Sequence, residues 1–194
     1  MAIKKVCVFC ASSQKVNQIY FTASKNLAIE LVKKDITIYY GGGATGLMGI
    51  LADTVLANKG QIIGVLPLFM KEANWWHREI SKLILVKNMA ERKKKLLENT
   101  DAVIALPGGC GTLDELIETI TLKQLGLFTK PIIIININGF FDPLIFLLDK
   151  MIQDKFMHLK HKEMWSVIQS PENIIEAIVS FPEWNSSDRK YAVI

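Results

Sequence analysis

Ala102-Val103-Ile104-Ala105-Leu106-Pro107-Gly108-Gly109-Cys110-Gly111-Thr112-Leu113-Asp114-Glu115 contains the transition on which the reading of this chain turns. An unbroken apolar run ends at a proline and a glycine-rich turn, and a helical pattern begins at Thr112. A short continuous apolar run bounded by such a turn reads as a parallel strand covered on both faces. The same step from strand to turn to helix recurs outward in both directions. Strands are expected at residues 5–10, 36–40, 61–66, 83–86, 102–106 and 132–137. Helices are expected at residues 19–34, 47–59, 89–99, 112–125 and 143–155, with a last one over 171–180. This alternation gives an α/β fold: a doubly wound, mainly parallel sheet with right-handed crossovers. Asp142-Pro143 and Ser170-Pro171 each place an N-cap before a proline at the first helical position. Residues 1–181 are expected to form a single domain, followed by a polar, loosely held tail over 182–194.

Composition supports this. With 194 residues, 50% hydrophobic and 22% charged, the chain can bury a core without a disulfide or metal staple, and disorder is excluded. The longest apolar stretches, residues 132–135 and 144–148, fall far short of the ~18–20 residues that cross a bilayer. The N-terminus runs directly into a strand without a signal-peptide core. Three cysteines give no paired framework, so a reducing cytoplasm is expected. The net charge of +4 favours anionic ligands but is too small to argue for nucleic acid.

In open α/β sheets ligands bind beyond the carboxyl ends of the strands, so the strand-to-helix turns matter most. After the first strand, Ser12 and Ser13 offer hydroxyls to a phosphate or sugar; a plain capped turn is the alternative. After the second, Gly41-Gly42-Gly43-Ala44-Thr45-Gly46 opens a helix, where backbone N–H groups and partial positive charge welcome anions. The string matches Gly-x-Gly-x-x-Gly, but it follows the second strand. The third strand also ends without the acidic residue that holds an adenosine ribose. A general phosphate or nucleotide cradle is therefore favoured over NAD or FAD. The turn at Gly108, Gly109, Cys110 and Gly111 makes a second cradle, with Thr112 able to cap the helix and touch a phosphate. No Gly-Lys-Ser/Thr follows, which excludes a P-loop. Thr112-x-x-Glu115 has capping-box spacing, so Glu115 either caps its helix or supplies a charge.

Arg92 and Lys93 lie three and four residues after Met89, on the same inward stripe as Leu96 and Leu97. An inward cation snorkels to water or needs a partner, either an anionic ligand or a carboxylate. Cys7 and Cys10 fall on opposite faces of a strand and read as core filler. Cys110 has no base nearby in sequence. His158 and His161 lack a third metal ligand and read as a surface pair. Trp75-Trp76-His77 suits either stacking on a base or burial at a subunit interface.

Pro107-Gly108-Gly109-Cys110-Gly111-Thr112-Leu113-Asp114-Glu115 resembles the Pro-Gly-Gly-x-Gly-Thr-x-x-Glu signature of the LOG (Lonely Guy) family. Arg92-Lys93 matches that family's Arg-Lys pair. Gly41-Gly42-Gly43-x-x-Gly46-Leu47-Met48-Gly49 and Cys7-Val8-Phe9-Cys10-Ala11-Ser12-Ser13 resemble its glycine turn and first strand. The likeness runs from about Val6 to Phe181. The family's members are cytokinin riboside 5′-monophosphate phosphoribohydrolases, long labelled lysine decarboxylases. The resemblance implies a Rossmann-like homodimer or larger assembly, with the active site near the subunit interface. It implies hydrolysis of AMP or an N6-substituted nucleotide to free base and ribose 5-phosphate, with no metal or redox cofactor. It makes Arg92 and Glu115 catalytic. It makes Lys93, the loop Gly108, Gly109, Cys110, Gly111, Thr112, Leu113 and Asp114, and Thr121 substrate-binding. A family carboxylate ahead of the pair corresponds to Glu72. The competing class is a non-catalytic nucleotide or molybdenum-cofactor carrier, which shares the glycine loops and would use Glu115 only as a cap. A lysine decarboxylase would need a Schiff-base lysine that no local signal picks out.

Overall fold

The computed structural model describes residues 3–193; Met1, Ala2 and Ile194, at the ends of the expected domain and tail, lie outside the described residues. Its strands are β1 (Lys5–Phe9), β2 (Thr37–Tyr40), β3 (Ile62–Pro67), β4 (Lys82–Val86), β5 (Ala102–Ala105), β6 (Ile132–Ile135) and β7 (Ser166–Ile168). Its α-helices are α1 (Gln18–Val32), α2 (Gly46–Ala57), α3 (Leu68–Glu72), α4 (Met89–Leu97), α5 (Cys110–Gln124), α6 (Asp142–Gln153) and α7 (Ile174–Val179). The strands form one sheet in the order β4-β3-β2-β1-β5-β6-β7, all parallel.

Alternation along β1 explains the two faces. Val6 and Val8 point into one core, with Leu27 and Leu31 of α1 and Leu51 and Val55 of α2. Cys7 and Phe9 point into the other, with Leu96 of α4, Leu116 and Ile120 of α5 and Leu148 of α6. Every residue of β5 and β6 is buried, as their apolar runs require. The chain winds outward from β1 through β2, β3 and β4, then returns across the sheet to β5 on the other side of β1. The carboxyl ends of β1 and β5 therefore flank the switch point, where a doubly wound sheet opens a crevice.

Gly46 packs one wall of that crevice. It has φ +63°, and a Cβ there would lie 2.6 Å from the carbonyl oxygens of both Ser12 and Ser13. Gly46→Ala is expected to cost about 1–3 kcal/mol through left-handed strain alone, lowering Tm by roughly 3–10 °C. An unchanged Tm would show that the turn after β1 yields freely.

Several expectations are corrected. β7 and α3 were not foreseen, being three and five residues long with no full period to read. Helix α6 starts at Asp142 with Phe141 as its N-cap; the Asp142 carboxylate accepts from Asn136 Nδ2 at 2.7 Å instead of capping. Ser170 precedes a short 3-10 turn, Pro171–Asn173, which leads into α7, so the single helix expected there is two. The tail is docked rather than loose. Trp184 is buried and its Nε1 donates to Lys123 O at 2.9 Å, while Tyr191 stacks on His158. The surface reading of His161 fails too: the ring is fully buried, with Nδ1 accepting from the His158 N–H at 3.2 Å. Among the described residues no helix is long and apolar enough to cross a membrane.

Candidate active site

Helix α4 is set by a reciprocal cap. Asn88 accepts from the Glu91 N–H at 2.9 Å, and Glu91 accepts from the Lys87 N–H at 2.8 Å. This start turns Arg92 inward, where it is 8% exposed. Its guanidinium is held by three structural elements. Nε donates to Val65 O on β3 at 3.1 Å, Nη2 to Gly41 O at 3.3 Å, and Nη1 to Glu115 Oε1 on α5 at 2.9 Å. Any Cβ at position 41 would overlap Nη2, so Gly41 makes room for the guanidinium. The burial cost of the Arg92 cation is offset by a carboxylate.

Glu115 does not cap its helix, which corrects one of the two readings of its spacing. Helix α5 begins at Cys110 with Gly109 as N-cap and no side-chain cap bond. The Glu115 carboxyl is instead buried against Arg92, and among the described residues its Oε2 accepts no hydrogen bond. Burial pushes its pKa above the ordinary glutamate value and Asp114 adds to this; the Arg92 guanidinium and Lys93 pull the other way, but the net shift is upward.

Both groups line a cavity of about 700 Å³, a usual size for a small-molecule site. Its walls come from the ends of β1 (Cys10, Ala11, Ser12), β2 (Gly41, Gly43, Ala44, Thr45) and β5 (Gly109, Cys110, Gly111, Thr112), with Met48, Leu66, Met70, Trp75 and Met89 on the apolar part. The two glycine turns differ as anion cradles. At α5 the N–H groups of Cys110, Gly111 and Thr112 belong to a first helical turn without intrahelical acceptors, and all three residues line the cavity. A Cβ at Gly109 or Gly111 would meet nothing within 4 Å, so the turn is bare where a ligand would approach. At α2 the Ala44 N–H already donates to Trp75 O at 3.2 Å and the Met48 N–H to Ala11 O at 3.2 Å. Fewer donors remain there.

The structure does not bring every sequence candidate to this cavity. Lys93 turns to the other side of α4, pairing with Asp114 at 3.1 Å and with Glu118. Leu113, Asp114 and Thr121 line a separate shallow depression on α5, where Thr121 Oγ1 donates to Ile117 O at 2.9 Å. Glu72 is exposed at the end of α3 and does not line the cavity. Gly42 holds the turn with φ +79° and its carbonyl accepts from the His77 N–H. Gly108 sits beneath the Thr112 side chain, and Ser13 accepts from the Lys15 N–H. Sequence reasoning missed Met48, Leu66, Met70 and Thr45 as lining residues; only Thr45, inside the glycine string, carried a usable signal. Burial pushes the Cys7 and Cys10 thiols well up, so neither is a nucleophile.

Residues 48–178 match the family model described as "Possible lysine decarboxylase". A cytokinin riboside 5′-monophosphate phosphoribohydrolase of Arabidopsis thaliana is 33% identical over 182 residues, spanning 94% of this chain and 80% of that protein. A second Arabidopsis thaliana enzyme of the same name is 38% identical over 154 residues, spanning 79% and 72%. Two solved structures share the fold alone. A molybdenum cofactor binding protein of Rippkaea orientalis has TM-score 0.69 at 22% identity, covering 93% of this chain and 98% of that one. The molybdenum cofactor carrier protein of Chlamydomonas reinhardtii has TM-score 0.70 at 15% identity, covering 92% and 98%. With the family model matching two thirds of its length and relatives above 30% identity matching most of it, the chain belongs to the LOG family of cytokinin riboside 5′-monophosphate phosphoribohydrolases.

Proposed function

We propose that this protein hydrolyses the N-glycosidic bond of a purine nucleoside 5′-monophosphate, AMP or an N6-substituted cytokinin nucleotide, to free base and ribose 5-phosphate. The observation that carries this is the Glu115 carboxyl: buried at the cavity, pinned through one oxygen by Arg92, with the other oxygen unbonded among the described residues. Breaking the bond builds positive charge on the ribose ring, as in other glycosidic cleavages. A carboxylate fixed beside that ring stabilises the charge. Its raised pKa also suits it to take a proton from the attacking water. Water adds at the anomeric carbon, the C–N bond breaks, and its electron pair leaves with the base, which takes up a proton.

The phosphate would sit on the first-turn N–H groups of α5. Glu115 lies three residues beyond Thr112 on α5 and both line the cavity, which supports a ribose held between the anion cradle and the carboxylate. Arg92 orients Glu115 through Nη1, and N–H groups it does not spend on protein acceptors face the anionic half of the substrate. Decarboxylase chemistry fits poorly: among the described residues no lysine lines the cavity to serve as a Schiff-base nucleophile.

The test is incubation with AMP and with an N6-substituted AMP, followed by chromatography for base and ribose 5-phosphate. Equal molar release of both products is expected. Nucleotide binding without base release from either would overturn the reading.

A further inference from the structure

The segment after α3 is tied to the glycine turn at residues 41–46 through three consecutive residues. Trp75 O accepts from the Ala44 N–H at 3.2 Å, Trp76 forms an antiparallel bridge with Gly43, and the His77 N–H donates to Gly42 O at 3.0 Å. The His77 ring is buried; Nε2 meets Asp53 Oδ1 at 2.9 Å and Nδ1 accepts from the Glu79 N–H at 3.2 Å. This backbone is fixed at both ends. Its two indoles differ. Trp76 lies under the Arg78 guanidinium, 4.5 Å from the ring centroid. Trp75 has no aromatic or cationic partner among the described residues, is 59% exposed, and lines the cavity.

A large apolar ring carried on a tied backbone at a cavity lining, without an aromatic or cationic partner among the described residues, is a stacking platform that lacks its partner. Aromatic faces accept any planar base, and such stacking needs no hydrogen-bond code. Met70, whose carbonyl accepts from the Trp75 N–H at 3.2 Å, lines the cavity as well, as do Met89, Leu66 and the polar Asn74. Thioether side chains adapt their shape to a varying apolar surface. The lining thus combines the bare N–H groups of the α5 turn with an apolar set that includes Trp75.

We infer that Trp75 is the specificity-determining residue for the leaving base, which stacks on its indole while the phosphate occupies the α5 turn. This deepens the hydrolase reading and rests on it for the orientation of the nucleotide. Trp75 acts on binding of the aromatic moiety and does not touch the bond that breaks.

The experiment compares the parent with Trp75→Phe, Trp75→Ala and Trp76→Phe. In the parent, AMP quenches tryptophan fluorescence and ribose 5-phosphate, which lacks the base, does not. The AMP quench is lost in Trp75→Phe and kept in Trp76→Phe. Trp75→Ala raises KM for AMP by roughly 5- to 100-fold with kcat within about twofold, and Trp75→Phe recovers most of the KM. The inference falls if KM is unchanged in Trp75→Ala, or if ribose 5-phosphate quenches as strongly as AMP. It also falls if the Trp75 signal becomes protected with rising protein concentration alone, since a second copy would then cover the ring. A protein that binds AMP with this quench but releases no base would sink the hydrolase reading and leave the stacking assignment standing.

Discussion

Glu115→Gln is expected to fold with a lowered Tm, because the buried Arg92 guanidinium loses its compensating charge, and to release base from AMP about 10²- to 10³-fold more slowly. The substitution keeps the shape of the side chain and an oxygen that can accept from Arg92 Nη1, and removes only the charge. A capping role would tolerate it, but α5 takes no cap from this residue, since Gly109 holds the N-cap position. Nucleotide affinity is expected to stay close to the parent value, because the phosphate is held by backbone N–H groups. The pH dependence is a second readout. The carboxylate is the working form, so kcat/KM falls as pH drops through the Glu115 pKa. Burial raises that pKa, which places the acid limb above the ordinary glutamate range. The same shift has a stability sign. Between the ordinary value and the raised one, the folded chain binds more protons than the unfolded chain, so stability declines as pH rises across that interval. Glu115→Gln removes both the acid limb and that decline. A Gln variant as fast as the parent, with the same limb, would take the acid out of the chemistry.

The strands of this fold were open to a reading of the sequence because burial on both faces demands unbroken apolar runs, and β5 and β6 have them. β7 is three half-buried residues at the sheet edge, and α3 is a single turn; neither is long enough to show a period. The start of α5 was placed two residues late because Cys110 and Gly111 look like turn residues; the helix end is set by the strand that feeds it. The site was half legible. Arg92 and Lys93 are neighbours on one stripe, and no local pattern separates them. What separates them is tertiary. The guanidinium of Arg92 reaches Val65, Gly41 and Glu115 at once, while the ammonium of Lys93 meets Asp114 and Glu118 on the outer side. The pairing of Arg92 with Glu115 spans 23 residues and depends on the crossover that lays α4 against α5. The reason for glycine at position 41 becomes visible only once Arg92 is in place.

Arg92→Ala is expected to lose both stability and activity. The Arg92 and Glu115 side chains are each 10% exposed, so their interaction is little screened by solvent. Removing one partner of a buried pair costs about 3–5 kcal/mol, because the other charge is left without compensation. For a chain of this size that lowers Tm by roughly 6–20 °C. Part of the loss is relieved by protonating Glu115, since the guanidinium that held its pKa down is gone. The remaining activity should therefore rise with pH along a limb displaced to higher pH than in the parent. Arg92→Lys does not rescue it. A single ammonium cannot serve Val65 O, Gly41 O and Glu115 Oε1 in the directions a planar fork serves them. The control is the double replacement Arg92→Met with Glu115→Leu. Apolar side chains of similar volume can replace a buried ion pair without loss of stability, so this variant should recover most of the Tm and none of the base release. That contrast separates the two things the pair does. A stable Arg92→Ala that still turns over AMP at the parent rate would mean that the guanidinium neither compensates Glu115 nor positions it.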